Sequence, residues 1–252
     1  MSSKKERQLR LERTIALLQH KWGQDAIRQG MATARPIPHL ATGFPALDAA
    51  LGIGGIPQGR LTVLEGAPTS GKVTLAALIL ATAQKKLRRP VAYVDLAHTC
   101  DADYLERCGL RLPDLLVVRP QDGRQALVLT QALLARAELG AILFDHWAAL
   151  GDAAALPHQA AALLAQSGHG PTLLVLDEPV SRWRQRTEGE RQILREHAFV
   201  RLSLRREQWF YDGPDIRGYR ARVAIVKNKL GPTHSGVEIE VHFNGAVRGE
   251  GI

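Results

Sequence analysis

The octapeptide Gly66-Ala67-Pro68-Thr69-Ser70-Gly71-Lys72-Val73 constrains this chain more than any other feature. It lies between the apolar run LTVLEG and the helix-compatible stretch VTLAALILATAQKKL. A glycine-rich turn that leaves a buried strand and opens a helix lets backbone N–H groups wrap a phosphate chain. The helix N-terminus adds positive potential, and Lys72 reaches the terminal phosphates. The alternative is a chance glycine turn before a helix, and the flanking strand and helix weigh against it. One position departs from the pattern. The residue after the lysine should carry a hydroxyl that ligates Mg²⁺ beside the phosphates, and here it is Val73. Thr74 follows one residue later, rotated about 100° around the helix, and is a poor substitute.

Around this loop, apolar runs alternate with helical stretches. VAYVDL leads into DADYLERCG, LLVVRP into QALVLTQALLARA, and AILFD and TLLVLDEP follow. Buried strands alternating with helices predict an α/β fold, a mainly parallel twisted sheet with helices on both faces. The segments AFVRLSLRREQWFYD, YRARVAIVKNKL and GVEIEVHFNG alternate at period two and predict terminal antiparallel strands. At the other end, Leu11, Ile15, Leu18 and Trp22 fall on one stripe of a helix expected from residue 4 to about Gly30. The prolines and glycine of ARPIPHLATGF then predict a linker. We therefore divide the chain into 1–34, a helix and linker that packs on the core or serves as an oligomerisation arm, and 35–252, the nucleotide-binding core. At 252 residues and 45% apolar content the core can be filled by one large domain. No apolar run approaches the roughly 20 residues that span a bilayer, and the charged N-terminus does not read as a secretory signal. Cys100 and Cys108 lack zinc-type partners and read as free thiols in a reducing cytoplasm. The formal charge of +8 fits a polyanionic partner, or simply a basic soluble protein.

The run ATGFPALDAALGIGGIPQGRLTVLEGAPTSGKVTLA resembles the bacterial RecA recombinase family, in which a similar stretch leads into the phosphate loop. KWGQDAIRQG, VAYVDLAHTCDADY, LLVVRPQDGRQAL, AILFDHWAAL, FVRLSLRR, VAIVKNKL and RGEGI match in the same order, so nearly the whole chain is covered. The resemblance implies a RecA-like P-loop NTPase core that uses ATP or ADP with Mg²⁺. It places Asp101 and Tyr104 at the adenine, with the phenol stacked on its face. It also makes Asp145 the Walker B aspartate that holds Mg²⁺ through water; otherwise Asp145 caps a turn at a strand end. Lys227 and Lys229 resemble lysines that reach the neighbour's nucleotide across a filament interface; otherwise they form a solvated strand edge. The chain stops where the recombinase's separate C-terminal domain would begin, so that domain is expected to be absent.

The departures from the family bear on catalysis. Its water-positioning acid falls on Ala97, and its γ-phosphate-sensing glutamine falls where this chain has Glu178 and Pro179. The first DNA loop and the following helix are shortened to GDAAALPHQAAALLAQSG. Glu178, at the end of LLVLDEP, is a candidate surrogate base, although no LSGGQ-like signature of an ATP-binding-cassette enzyme accompanies it.

At the place of the second DNA loop, Arg182, Arg184 and Arg186 flank Trp183, a composition that suits single-stranded DNA or a charged surface helix. The hairpin residues Trp209, Phe210 and Tyr211 offer a further surface for DNA or a protein partner. Together these features predict a cytoplasmic RecA-like accessory protein of DNA repair, a candidate homo-oligomer, similar to the ImuA-type proteins of translesion synthesis, with a RecA-type or translesion-repair partner. The alternatives are an active DNA-dependent ATPase and recombinase with substituted catalytic residues, and an interaction scaffold with a vestigial nucleotide site.

Overall fold

The computed structural model describes residues 2–23, 37–136, 138–147, 170–178, 188–233, 235–243 and 246–251. The chain forms two compact units, Met1–Pro36 and Ile37–Ile252. In the first, helix α1 spans Ser2–Trp22. The periodicity predicts a helix reaching Gly30, but Gly23 closes it earlier. This residue takes φ +94°, where only glycine carries no Cβ penalty, and its N–H donates to the Gln19 carbonyl at 2.9 Å. Residues 24–36 lie outside the described residues. Of the apolar stripe, Leu11, Leu18 and Trp22 are exposed.

In the second unit, a short ladder pairs β1 (His39–Leu40) with β2 (Ile56–Pro57), and helix α2 (Pro45–Ala50) lies between them. This overturns the linker expected over the end of ARPIPHLATGF. Leu40 and Phe44 are fully buried, so the segment joins the core rather than leaving it. Next come β3 (Leu61–Gly66), α3 (Lys72–Leu87), β4 (Val91–Val94), α4 (Ala102–Arg107), β5 (Leu115–Val118) and α5 (Gly123–Leu134). They are followed by β6 (Ala141–Phe144), β7 (Thr172–Asp177), α6 (Glu188–His197), β8 (Val200–Asp212), β9 (Asp215–Asn228), β10 (Gly236–Phe243) and β11 (Val247–Gly251).

Among the described residues the main sheet runs β11-β10-β9-β8-β3-β7-β6-β4-β5. From β8 to β5 every neighbouring pair is parallel, whereas β9, β10 and β11 add in antiparallel order. The expected α/β sheet is therefore present, and β11 is one strand more than the period-two reading supplied. Successive side chains on the parallel strands enter opposite cores, as period two requires. Leu64, Tyr93, Leu143, Leu174 and Leu176 pack with Leu75, Ile79 and Leu80 of α3. Val63, Val94, Phe144 and Val175 pack on the other face with Ala126 and Leu127 of α5 and Leu194 of α6. Each such leucine contributes about 2 kcal/mol by leaving water. Among the described residues no helix is long and apolar enough to cross a membrane.

Parallel strands end together. Gly66, Val94, Phe144 and Asp177 bring their following residues to one edge of the sheet, where open α/β sheets bind ligands.

Candidate functional site

The loop from Gly66 to Gly71 connects β3 to α3. The Ser70 N–H donates to the Ala67 carbonyl at 3.1 Å, and Gly71, at φ +94°, starts the helix. A Cβ on Gly71 would lie 2.6 Å from the Tyr219 hydroxyl, and one on Gly66 would lie 2.8 Å from the Leu204 carbonyl oxygen. Close packing thus requires glycine at both positions, and at Gly71 the left-handed dihedral angle requires it as well. Thr69 also takes a left-handed conformation, φ 62°, which costs a β-branched residue about 1–2 kcal/mol. Arg206 offsets this by donating from Nη1 to the Thr69 carbonyl at 2.8 Å, while its guanidinium lies over the Trp209 ring at 4.0 Å. The Ser70 hydroxyl is buried without a hydrogen-bond partner. An unsatisfied donor in a loop at a helix N-terminus suits an incoming phosphate oxygen.

The loop faces the ends of β6 and β7. Lys72, only 4% exposed, places Nζ 2.7 Å from Glu178 Oε1 and donates to the Ala67 carbonyl at 3.4 Å. His146 stands behind this carboxylate, Nε2 3.6 Å from the same oxygen, and its Nδ1 lies 3.1 Å from Asp145 Oδ1. Asp145 is buried and also accepts from the Tyr93 phenol and the Thr99 hydroxyl, each at 2.9 Å. Burial pushes the Asp145 carboxyl upward, but hydrogen bonds from His146, Tyr93 and Thr99 together hold it below the usual carboxylate range. The same contact with Asp145, working against burial, raises His146. His146 sits at φ 57°, a second strained backbone position at this edge. The fully buried Asp95 anchors the loop after β4 by accepting from Thr99 N–H at 2.7 Å and from Arg119 at 3.3 Å. Ala97, in that loop, offers only a methyl group.

Beside the loop lies a pocket of about 230 Å³, lined by Thr69, Lys72, Tyr104, Trp209, Tyr219 and Phe243 among others. Tyr219 meets Trp209 and Phe243 edge to face, with ring centroids 5.6 and 5.9 Å apart. The Thr74 hydroxyl is held by two phenols, Tyr104 at 2.6 Å and Tyr219 at 3.0 Å. Thr74 is therefore occupied, and Val73 packs its methyl groups against the core. Asp101, expected at the adenine, accepts from the Tyr104 N–H at 3.0 Å as the N-cap of α4, which fixes Tyr104 at the pocket mouth. The donor set thus fits a phosphate chain and an aromatic base. It offers less to a metal ion beside the phosphates, since Val73 carries no oxygen and the Thr74 hydroxyl is already engaged by two phenols.

The remaining expected residues lie elsewhere. Lys227 donates to the Arg195 and Glu196 carbonyls at 2.7 and 2.9 Å, closing the C-terminus of α6, and burial together with Lys229 and Arg201 lowers its pKa. Lys229 lies 4.7 Å from the Phe199 ring. Arg182, Trp183, Arg184 and Arg186, with Pro179 and the segment 151–168, lie outside the described residues. Of the hairpin aromatics, Tyr211 is exposed, whereas Trp209 and Phe210 are half-buried, the latter stacked on His242 at 5.6 Å. Sequence reasoning missed His146, Arg206, Tyr219 and Phe243 as site residues. His146 had a local signal, since it directly follows a strand-end aspartate. The other three come from distant antiparallel strands.

The RecA N-terminal domain profile matches residues 9–162. Protein RecA of Chloroflexus aurantiacus is 34% identical over 98% of this chain and 77% of its own length. Protein RecA of Streptomyces venezuelae is 32% identical over 98% of this chain and 71% of its own length, and that of Herpetosiphon aurantiacus is 32% identical over 100% and 76%.

Proposed function

The chain belongs to the RecA family, and we propose that it is a nucleotide-binding RecA-like protein of DNA repair whose hydrolytic step is impaired, acting as an accessory factor with DNA or a repair protein. The observation that carries this reading is the contrast around Lys72. The loop keeps both glycines, the buried Ser70 hydroxyl and the helix N-terminus, while the lysine is paired with Glu178 at 2.7 Å. On this reading Gly66 to Lys72 hold the phosphates of ATP or ADP, Val73 and Thr74 open the helix beneath them, and Tyr104 with Asp101 borders the base. A bound Mg²⁺, held through water by Asp145, would neutralise phosphate charge. Position 73 supplies no oxygen to it, and position 97 supplies no carboxylate to orient water.

The wider role follows the ImuA-type pattern: a cytoplasmic protein of translesion synthesis that works through single-stranded DNA or a RecA-type partner. Arg182, Trp183, Arg184 and Arg186 are the proposed DNA contacts. Lys227 and Lys229 would serve an interface between copies, which requires Lys227 to leave the α6 carbonyls. A helix and linker over 1–34, acting as an oligomerisation arm, and a core over 35–252 complete the proposal.

The rival reading, an active ATPase with Glu178 as base, is favoured by the same carboxylate standing at the phosphate end of the loop. A steady-state ATPase assay with single-stranded DNA separates the two. Impaired hydrolysis predicts a rate indistinguishable from that of Lys72→Ala; DNA-stimulated turnover abolished by Lys72→Ala would establish the rival.

A further inference from the structure

We propose that Glu178 sets the phosphate-chain selectivity of this site, so that the loop takes a nucleoside diphosphate in preference to a triphosphate. The proposal rests on the nucleotide-binding reading above and names the ligand of that same site. Glu178 is held from several sides. Its Oε1 lies 2.7 Å from Lys72 Nζ and 3.6 Å from His146 Nε2, and its own N–H donates to Asp177 Oδ1 at 3.0 Å. The side chain is only 25% exposed and the lysine 4%, so water screens the pair weakly.

A phosphate chain on this loop starts from the N–H groups at the helix end and runs outward along Lys72. The inner phosphates meet main-chain donors and the unpartnered Ser70 hydroxyl. A third phosphate has to enter where Lys72 meets Glu178. There it confronts that carboxylate, with Asp145 beyond His146, and the hydroxyl that would bring a metal ion alongside is replaced by Val73. Lys72 cannot neutralise both anions. Either the carboxylate is displaced from a half-buried ion pair or two negative groups share one ammonium, and both cost affinity for the triphosphate. A diphosphate ends before that point and leaves the pair intact. Glu178→Gln keeps an oxygen acceptor for Lys72 and removes only the charge, so the variant isolates the electrostatic effect.

The test is calorimetry on the full chain with ADP and with ATP, each in EDTA and in Mg²⁺, for the wild type, Glu178→Gln and Glu178→Ala. Circular dichroism establishes that both variants fold. We expect the wild type to bind ADP about 10-fold or more tighter than ATP, and both substitutions to tighten ATP by a similar factor while changing ADP less than about 3-fold. Equal wild-type affinities, or substitutions that move both nucleotides alike, would overturn the selectivity role and leave nucleotide binding standing. Failure of the wild type and both folded variants to bind either nucleotide would overturn the underlying reading as well. Glu178→Gln that leaves ATP affinity unchanged but abolishes ATP turnover would replace selectivity with the role of general base.

Discussion

The two walls of the proposed nucleotide site are built differently. The loop wall, from Gly66 to Lys72, is shaped by backbone: left-handed residues, glycines packed under Tyr219 and the Leu204 carbonyl, and a helix N-terminus. The strand-end wall, at Asp145, His146 and Glu178, is shaped by side chains that satisfy one another. Binding a phosphate needs only the first wall, whereas splitting it needs free functional groups on the second. On the proposed reading the first wall follows the family's pattern, and beside the second stand Ala97 and Glu178, where the resemblance expects the residues that orient water and sense the terminal phosphate.

The largest expected effect comes from breaking the loop wall. Gly71→Ala places a methyl against the Tyr219 hydroxyl and forces an unfavourable φ, which should cost at least about 2 kcal/mol and eliminate nucleotide binding. Thermal melting and calorimetry check both effects. Next, Val73→Thr adds the missing hydroxyl at nearly constant volume. It should tighten nucleotide binding about 10-fold in Mg²⁺ and leave affinity in EDTA unchanged. Equal gains in both buffers would mean that the hydroxyl serves the phosphate rather than the metal. A smaller effect is expected at the side pocket, where Tyr219→Phe removes one of the two phenol contacts to Thr74 and should cost about 1 kcal/mol in denaturant unfolding.

The smallest effect concerns the strand-end wall and pH. His146 is raised above the ordinary histidine value near 6.5 by its contact with Asp145. Its stabilising contribution is therefore fully present below that ordinary value and is lost as pH rises through the raised one. The melting temperature of His146→Ala in EDTA should fall further below wild type at pH 6 than at pH 8.5. A difference independent of pH would show that the imidazole acts by packing alone.

How much of this was legible in the sequence follows from the same contrast. The loop wall is local: a strand, eight residues and a helix, all contiguous, so pattern and resemblance locate it. The parallel core was equally readable, because LTVLEG, VAYV, AILF and TLLVLD are continuous apolar runs. The helix end at Gly23 and the burial of Leu40 and Phe44 were not, since a glycine can be spanned or can stop a helix, and a proline-rich segment can still carry core residues. The strand-end wall was legible as residue types but not as geometry. Glu178 and Lys72 are separated by 106 positions, and only the β3–β7 pairing brings them together. Tyr219 was read simply as part of an alternating strand, yet it forms the floor beneath Gly71.

The central claim is that the loop wall holds a nucleotide which the strand-end wall does not split. Its most direct measurement is the chemical state of nucleotide bound at equilibrium: labelled ATP is incubated with the protein, Mg²⁺ and single-stranded DNA, and the bound fraction is isolated and resolved over time. The account predicts saturable binding that is lost in Lys72→Ala, with ATP in the bound fraction remaining triphosphate as slowly as in buffer. Conversion of bound ATP to ADP at a rate that depends on Lys72 would contradict it.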